Sequence, residues 1–116
     1  MRLILLAAVI FFMSIFSVKA QWTQIALPTE YAIAQMQFVN DSVGYIIADS
    51  IVGLSLAGRV YKTTDRGLNW VEKNFYYQSF NYIHFINPDT GWIAMSDGGV
   101  GAIRRTYDGG NSWFNI

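Results

Sequence analysis

The sequence contains no cysteine, two prolines and one histidine, His84. Exported domains of this size often compensate for a small core with disulfides, and the lack of cysteine excludes that device here. It also excludes a zinc site built from cysteine and histidine ligands. Lysine and arginine are few and do not cluster, which disfavours a nucleic-acid-binding surface. We therefore expect no metal, no other cofactor and no nucleic-acid partner.

The chain also lacks an apolar run long enough for a typical membrane span. Residues 3–16 are almost all apolar, whereas a spanning helix needs about 20 such residues. This run follows Arg2 and ends shortly before Ala20, a pattern that predicts a signal peptide over residues 1–20. An uncleaved N-terminal anchor is the alternative. The remaining chain, with formal charge −2, is expected to be exported to the periplasm, cell surface or exterior.

Two stretches of the sequence occur twice. Residues 38–45 (FVNDSVGY) match residues 85–92 (FINPDTGW) at an offset of 47. Residues 63–70 (TTDRGLNW) match residues 106–113 (TYDGGNSW) at an offset of 43. A period of about 40–50 residues, rich in β-forming and turn residues, is typical of propeller blades.

The repeat predicts an all-β chain, a partial β-propeller with two four-stranded antiparallel blades. Blade one covers about residues 31–74 and blade two about residues 79–116. Trp22 precedes Asn40 by about the distance that separates Trp70 from Asn87, so we expect an N-terminal orphan strand over residues 22–25. Two blades cannot close a ring, which typically has about four to eight. The sequence therefore indicates a fragment whose partners include further blades.

The second repeated stretch has the pattern Thr-x-Asp-x-Gly-x-(Asn/Ser)-Trp. Each aspartate is expected to accept hydrogen bonds from N–H groups two residues on, in an Asx turn. Each glycine is expected to have positive φ, and each tryptophan to bury apolar surface under the hairpin. One carboxylate per motif is too few for a calcium loop. The predicted structural residues are Thr63, Asp65, Gly67, Asn69, Trp70, Thr106, Asp108, Gly110, Ser112 and Trp113.

This motif resembles the Asp-box, or BNR repeat. Together with the leader F-x-N-x-x-x-G-(Y/W), it is similar to the photosystem II stability/assembly factor family and its secreted bacterial relatives. The resemblance covers nearly all of residues 22–116 and implies a propeller with the boxes on one rim. Arg66 departs from the pattern, where glycine is commoner. The family implies a secreted, non-enzymatic binding or scaffold module, with photosystem assembly as its role in photosynthetic organisms.

Two alternatives remain at this stage. Asp-boxes also occur in sialidases and other glycoside hydrolases, so the chain is alternatively a fragment of such an enzyme. Most glycosidases need two carboxylates flanking the bond, and sialidases use a tyrosine nucleophile. The sequence shows neither such a set nor the arginine cluster that a sialidase needs, and no catalytic residue is predicted. A structural protein of the cell surface is the third possible function.

The rim opposite the boxes is the predicted binding surface, since loops on a rigid scaffold usually carry binding. Its candidate segments are residues 49–57, residues 97–99 and the aromatic link between the blades. The expected ligand is a protein or a glycan. Aromatic packing between the blades is the favoured alternative for the link. The aromatic candidates are Phe75, Tyr76, Tyr77 and Phe80.

Overall fold

The computed structural model describes residues 19–25, 31–52, 55–76 and 78–116. The predicted signal peptide, apart from its last two residues, lies outside these ranges. The described chain is all-β and forms two four-stranded antiparallel sheets, each with its strands in chain order. In these ranges no helix is long and apolar enough to cross a membrane. The first sheet contains β1 (Ala32–Phe38), β2 (Gly44–Val52), β3 (Ser55–Thr63) and β4 (Val71–Tyr76), and the second contains β5 (Ser79–Phe85), β6 (Gly91–Asp97), β7 (Val100–Thr106) and β8 (Phe114–Asn115).

The sequence repeat is also a repeat of strand register. Gln37 faces Tyr45 in the first sheet, and His84 faces Trp92 at the same offset of 47 in the second. Both first strands, β1 and β5, carry a bulge at corresponding positions. The prediction of two four-stranded antiparallel units is therefore confirmed.

The main core lies between the two sheets, which pack face to face. Tyr45 of β2 stacks on Phe85 of β5, with ring centroids 3.6 Å apart and planes inclined by 3°. Ile46 and Ala48 point to the opposite side of β2 and form a smaller cluster with Tyr61. Burial on both faces of β2 follows from its nearly continuous apolar sequence. The core between the sheets consists of Tyr45, Ile47, Val60, Phe80, Ile83, Phe85, Ile93 and Met95.

The predicted orphan strand is wrong. Residues 22–25 have no regular secondary structure, and the Trp22 side chain is 96% exposed. A strand needs a partner for its backbone groups. The outer position of each described sheet is already filled by a downstream segment, β4 or β8.

The predicted loop over residues 49–57 is wrong as well. β2 continues to Val52 and β3 begins at Ser55, so this hairpin has strands of nine residues where β6 and β7 have seven. The four extra residues of the first repeat lengthen the hairpin ladder rather than its loop. Asp49, within this ladder, accepts hydrogen bonds from Phe80 N and Ser79 Oγ, both at 3.1 Å.

Apolar and polar residues alternate along β1, and the side that is more buried is the polar one. Gln35 and Gln37 are half-buried, whereas Met36 and Phe38 are 57% and 41% exposed. The glutamine side packs against β5 of the second sheet. The apolar side faces away from the second sheet, and in the described ranges no other sheet covers it.

Candidate functional site

The first Asp-box-like turn is held by a closed set of side-chain hydrogen bonds. Thr63 Oγ1 donates to Asp65 Oδ1 at 2.8 Å and accepts from Gly67 N at 2.9 Å. Asp65 Oδ1 also accepts from Asn69 N at 2.9 Å, and Asp65 Oδ2 accepts from Asn69 Nδ2 at 2.7 Å. Trp70 Nε1 donates to Gly67 O at 3.0 Å. The five predicted motif residues are thus brought together in one turn.

The second turn repeats the contacts of the threonine and the aspartate, but not the indole hydrogen bond of Trp70. Thr106 Oγ1 donates to Asp108 Oδ1 at 2.9 Å and accepts from Gly110 N at 2.9 Å. Asp108 accepts from Ser112 N at 2.9 Å and from the Ser112 hydroxyl. Trp113 meets Phe85 edge to face at 6.1 Å, as Trp70 meets Phe38 at 6.0 Å. Side chains of different size, Asn69 and Ser112, therefore support the same turn.

The prediction that each box aspartate accepts a hydrogen bond from the N–H two residues on, in an Asx turn, is wrong. Each aspartate accepts the N–H four residues on, because the threonine hydroxyl already accepts the aspartate's own N–H and that of the glycine. Asx turns occur instead in the leaders, where Asn40 Oδ1 accepts from Ser42 N and Val43 N. Asn87 accepts from the two corresponding N–H groups. The recurring asparagine in both leaders was the sequence signal for these turns.

Positive φ is confirmed at the two predicted glycines. Gly67 and Gly110 have φ of 85° and 88°. Arg66 also has positive φ, 64°, close to the 69° of its counterpart Gly109. An L side chain is disfavoured in this region by about 1–2 kcal/mol. The departure from the common box pattern therefore leaves a strained arginine in the first turn.

Backbone hydrogen bonds join each box to its leader. Arg66 N donates to Ser42 O at 3.0 Å, and Gly109 N donates to Asp89 O at 2.9 Å. Both motif types consequently lie at the same end of their sheet, as antiparallel chain order requires. This rim is the box rim, and the β2–β3 and β6–β7 hairpins lie at the other end.

The electrostatic state of the box carboxylates suits a structural role. The Asn69 amide and backbone N–H hold the pKa of Asp65 below its usual value. The Ser112 hydroxyl and backbone N–H do the same for the pKa of Asp108. A carboxylate that accepts several hydrogen bonds is stabilised in its ionised form. Such a group is a poor general acid at neutral pH.

Two glutamines of β1, Gln35 and Gln37, connect the two sheets. Gln37 donates through Nε2 to Phe85 O at 2.9 Å and accepts through Oε1 from Phe85 N at 2.7 Å. Gln35 Oε1 accepts from Ile83 N at 2.8 Å. β5 is an edge strand, so these amides supply partners that a neighbouring strand would otherwise provide.

The predicted aromatic rim is divided by the structure. Phe80 is buried between the sheets, so it belongs to the core and not to an exposed binding surface. Phe75 and Tyr76 are the last two residues of β4, and Tyr77 lies outside the described residues. On the same rim, Gly98 and Gly99 form the β6–β7 turn with φ of 58° and 88°. The exposed turn residues, rather than Phe80, are available there.

The only histidine lies on the outer face of the second sheet. His84, Tyr82 and Trp92 line a shallow groove of about 440 Å³ together with Ala94 and Ile103. No group of three His, Asp or Glu side chains in the described ranges is placed to hold a metal ion. The Arg105 guanidinium stacks nearby on Tyr107 at 4.3 Å.

A scan against protein-family models finds no match for this chain, and a search of curated proteins finds no similar sequence.

Proposed function

We propose that the two sheets are neighbouring blades of a β-propeller, and that the chain is an exported, non-enzymatic binding or scaffold module. The observation that carries this proposal is the repeated register of two sheets packed face to face, with the repeated turns on one rim. Repeated units of this kind form a rigid frame, and binding is usually carried by the loops that the frame presents.

The use of the box side chains supports a structural rather than a chemical role for the box rim. Both carboxylate oxygens of Asp65 and of Asp108 accept hydrogen bonds from residues of their own turn. Glycoside hydrolysis usually needs two carboxylates that flank one bond. The alternative of an Asp-box glycosidase fragment therefore gains no support from these two residues.

The proposed ligand surface is the rim opposite the boxes. Gly98 and Gly99 of the β6–β7 turn and Val100, the first residue of β7, are exposed. The ligand class remains a protein or a glycan. Assembly of a photosystem is a narrower form of the same proposal, and it rests on the Asp-box resemblance alone.

Site-specific photocrosslinking in the exporting host tests this assignment. A photoreactive residue at Val100 is expected to give a discrete crosslinked product with the ligand. The same residue at Leu68, which is equally exposed but lies on the box rim, is the matched control. Equal products from both positions would contradict the proposed surface. Turnover of a fluorogenic sialoside by the purified chain would contradict the non-enzymatic role.

A further inference from the structure

The outer face of the second sheet reproduces a surface that is already used once within the chain. We name its residues the trailing face: Tyr82, His84, Trp92, Ala94 and Ile103. At the repeat offsets of 47 and 43 they correspond to the residues through which the first sheet packs on the second, which are Gln35, Gln37, Tyr45, Ile47 and Val60. Val60 is fully buried, whereas its counterpart Ile103 is 54% exposed. Gln35 is half-buried, whereas its counterpart Tyr82 is 55% exposed.

The outer face of the first sheet reproduces the other half of the same interface. We name its residues the leading face: Met36, Phe38, Ile46, Ala48 and Trp70. Met36 and Phe38 are 57% and 41% exposed, whereas Ile46 and Ala48 lie beneath them, already buried in the cluster with Tyr61. The leading-face residues correspond in order to Ile83, Phe85, Ile93, Met95 and Trp113, the residues of the second sheet that receive the first. Each half of the interface therefore occurs twice in the chain. One copy of each half is paired between the two sheets, and the other copy lies on an outer face. We infer that the trailing face of one copy docks on the leading face of a second copy, head to tail.

A pair of glycines supports this docking in detail. A Cβ at Gly58 would lie 2.6 Å from both the Phe80 ring and the Gln78 carbonyl, so the inner interface requires glycine at that position. The counterpart of Gly58 is Gly101, where an added Cβ meets nothing within 4 Å. The counterpart of Phe80 is Ile33, which is exposed on the first sheet. The trailing face thus keeps the small residue, and the leading face keeps an apolar side chain to fit against it.

Charge is complementary at the box end of the two faces. Within the chain, Lys62 Nζ donates to Pro88 O at 3.3 Å, and the Tyr45 hydroxyl donates to the same carbonyl. The counterparts of Lys62 and Tyr45 are Arg105 and Trp92, which both carry N–H donors. The counterpart of Pro88 is Asp41, which adds a carboxylate to the carbonyl. Docking therefore brings a cation of the trailing face to an anion of the leading face.

One pair of residues disfavours the proposed docking of the trailing face on the leading face. Lys62 Nζ lies 2.5 Å from where a Cβ at Gly109 would be, and the counterparts of these residues are Arg105 and Arg66. Head-to-tail docking thus places two arginines close together and weakens the contact. Residues 22–25 border the leading face but belong to no strand, so an incoming sheet would displace no ladder from them.

A contact between different faces of identical chains is heterologous, and it extends into rings or filaments. Several copies of the chain, each contributing two sheets, would consequently stack into one continuous series of sheets. This inference goes beyond the proposed function, because it needs only the repeat geometry and is independent of the ligand.

Analytical ultracentrifugation of the full-length chain over a wide concentration range tests the docking. The wild type is expected to associate reversibly. Gly101→Val should abolish association while leaving the fold of the single chain intact, since nothing lies near that position. Arg66→Gly should tighten association by about tenfold, through removal of a like charge and a Cβ. Leu68→Ala, outside both faces, is the control and should behave as wild type.

Disulfide trapping gives an independent measurement, because the chain has no cysteine of its own. The contact between Gln35 and Ile83 corresponds to a contact between Tyr82 and Met36 of two copies. A mixture of the single variants Tyr82→Cys and Met36→Cys is expected to form a mixed disulfide on mild oxidation. Each variant alone should remain largely uncrosslinked.

The proposal is overturned if the folded wild type stays monomeric at every concentration, or if Gly101→Val associates as the wild type does. Homodimeric crosslinks from each cysteine variant alone, at the yield of the mixture, would also overturn it by showing a symmetric contact. None of these results changes the expected crosslinking from Val100, so failure of the docking is distinguishable from failure of the proposed function.

Discussion

At the scale of single residues, the two box aspartates act as acceptors that hold their own turn. Asp108 accepts from the N–H and hydroxyl of Ser112 and from the hydroxyl of Thr106. These bonds favour the ionised carboxylate, and the pKa of Asp108 is accordingly lowered from its ordinary value of 3.8. Asp65 has the same partners in kind, and its pKa is lowered as well. Stability should therefore depend on pH in the acid range.

The sign of this dependence follows from linkage. A carboxyl group whose pKa is lower in the folded chain binds fewer protons there than in the unfolded chain. We expect the free energy of unfolding to be constant well above the ordinary aspartate pKa, then to fall as the pH drops through the lowered values. Urea unfolding at a series of acid pH values measures this slope.

Substitution of both box aspartates by asparagine provides the comparison. The double variant is expected to be less stable at neutral pH and to show a shallower acid slope than the wild type. Leu68→Ala, at an exposed position of the first box turn that carries no titratable group, is the control and should keep the slope. An unchanged slope in the double variant would show that the box carboxylates are not the groups responsible.

The residue types of the box were predictable from the sequence, but their bonding partners were not. Thr63 and Asp65 both have oxygens within reach of the same N–H groups, so the pattern alone does not decide which oxygen accepts which hydrogen. The threonine hydroxyl takes the nearer N–H groups and leaves the aspartate the N–H of Asn69. Positive φ at Gly67 was predictable because few other residues adopt it at low cost.

At the scale of elements, β1 shows how a polar strand face can become an interface. Gln35 and Gln37 bind the backbone edge of β5 much as another strand would. The four strands of each repeat were predictable from the sequence. The buried side of β1 was not, because burial depends on which face meets the other sheet and not on polarity within the strand.

Replacement of Gln37 by leucine should weaken the joint between the sheets. The substitution leaves Phe85 N and Phe85 O without their partners in a part-buried position. The expected loss is about 1–3 kcal/mol of unfolding free energy. Urea titration at low protein concentration, where the chains are not associated, measures it by tryptophan fluorescence. His84→Leu, the same change at the exposed counterpart, is the control and should alter stability by less than about 0.5 kcal/mol. Equal effects at both positions would contradict the interface role of Gln37.

At the scale of the whole molecule, the two sheets share one core and should unfold together. Phe80, Ile83 and Phe85 of β5 lie in one buried cluster with Tyr45, Ile47 and Val60 of the first sheet. All-β composition and the repeat were predictable from the sequence. The absence of the orphan strand was not, since strand pairing depends on whether a free outer position exists.

Paired substitutions at the two counterpart glycines test the shared core. Gly58→Ala places a methyl group 2.6 Å from the Gln78 carbonyl and the Phe80 ring, and the backbone atom cannot move aside as a flexible side chain could. Overpacking of this kind costs about 1–3 kcal/mol. Gly101→Ala adds the same methyl group to the same strand position in open surroundings, and it should instead stabilise by up to about 1 kcal/mol through a less flexible unfolded chain. Thermal unfolding at low protein concentration compares the two, and a single cooperative transition is expected in both. If Gly58→Ala were as harmless as Gly101→Ala, the sheets could not be packed as closely as this interface requires, and the two repeats would have to fold as independent units.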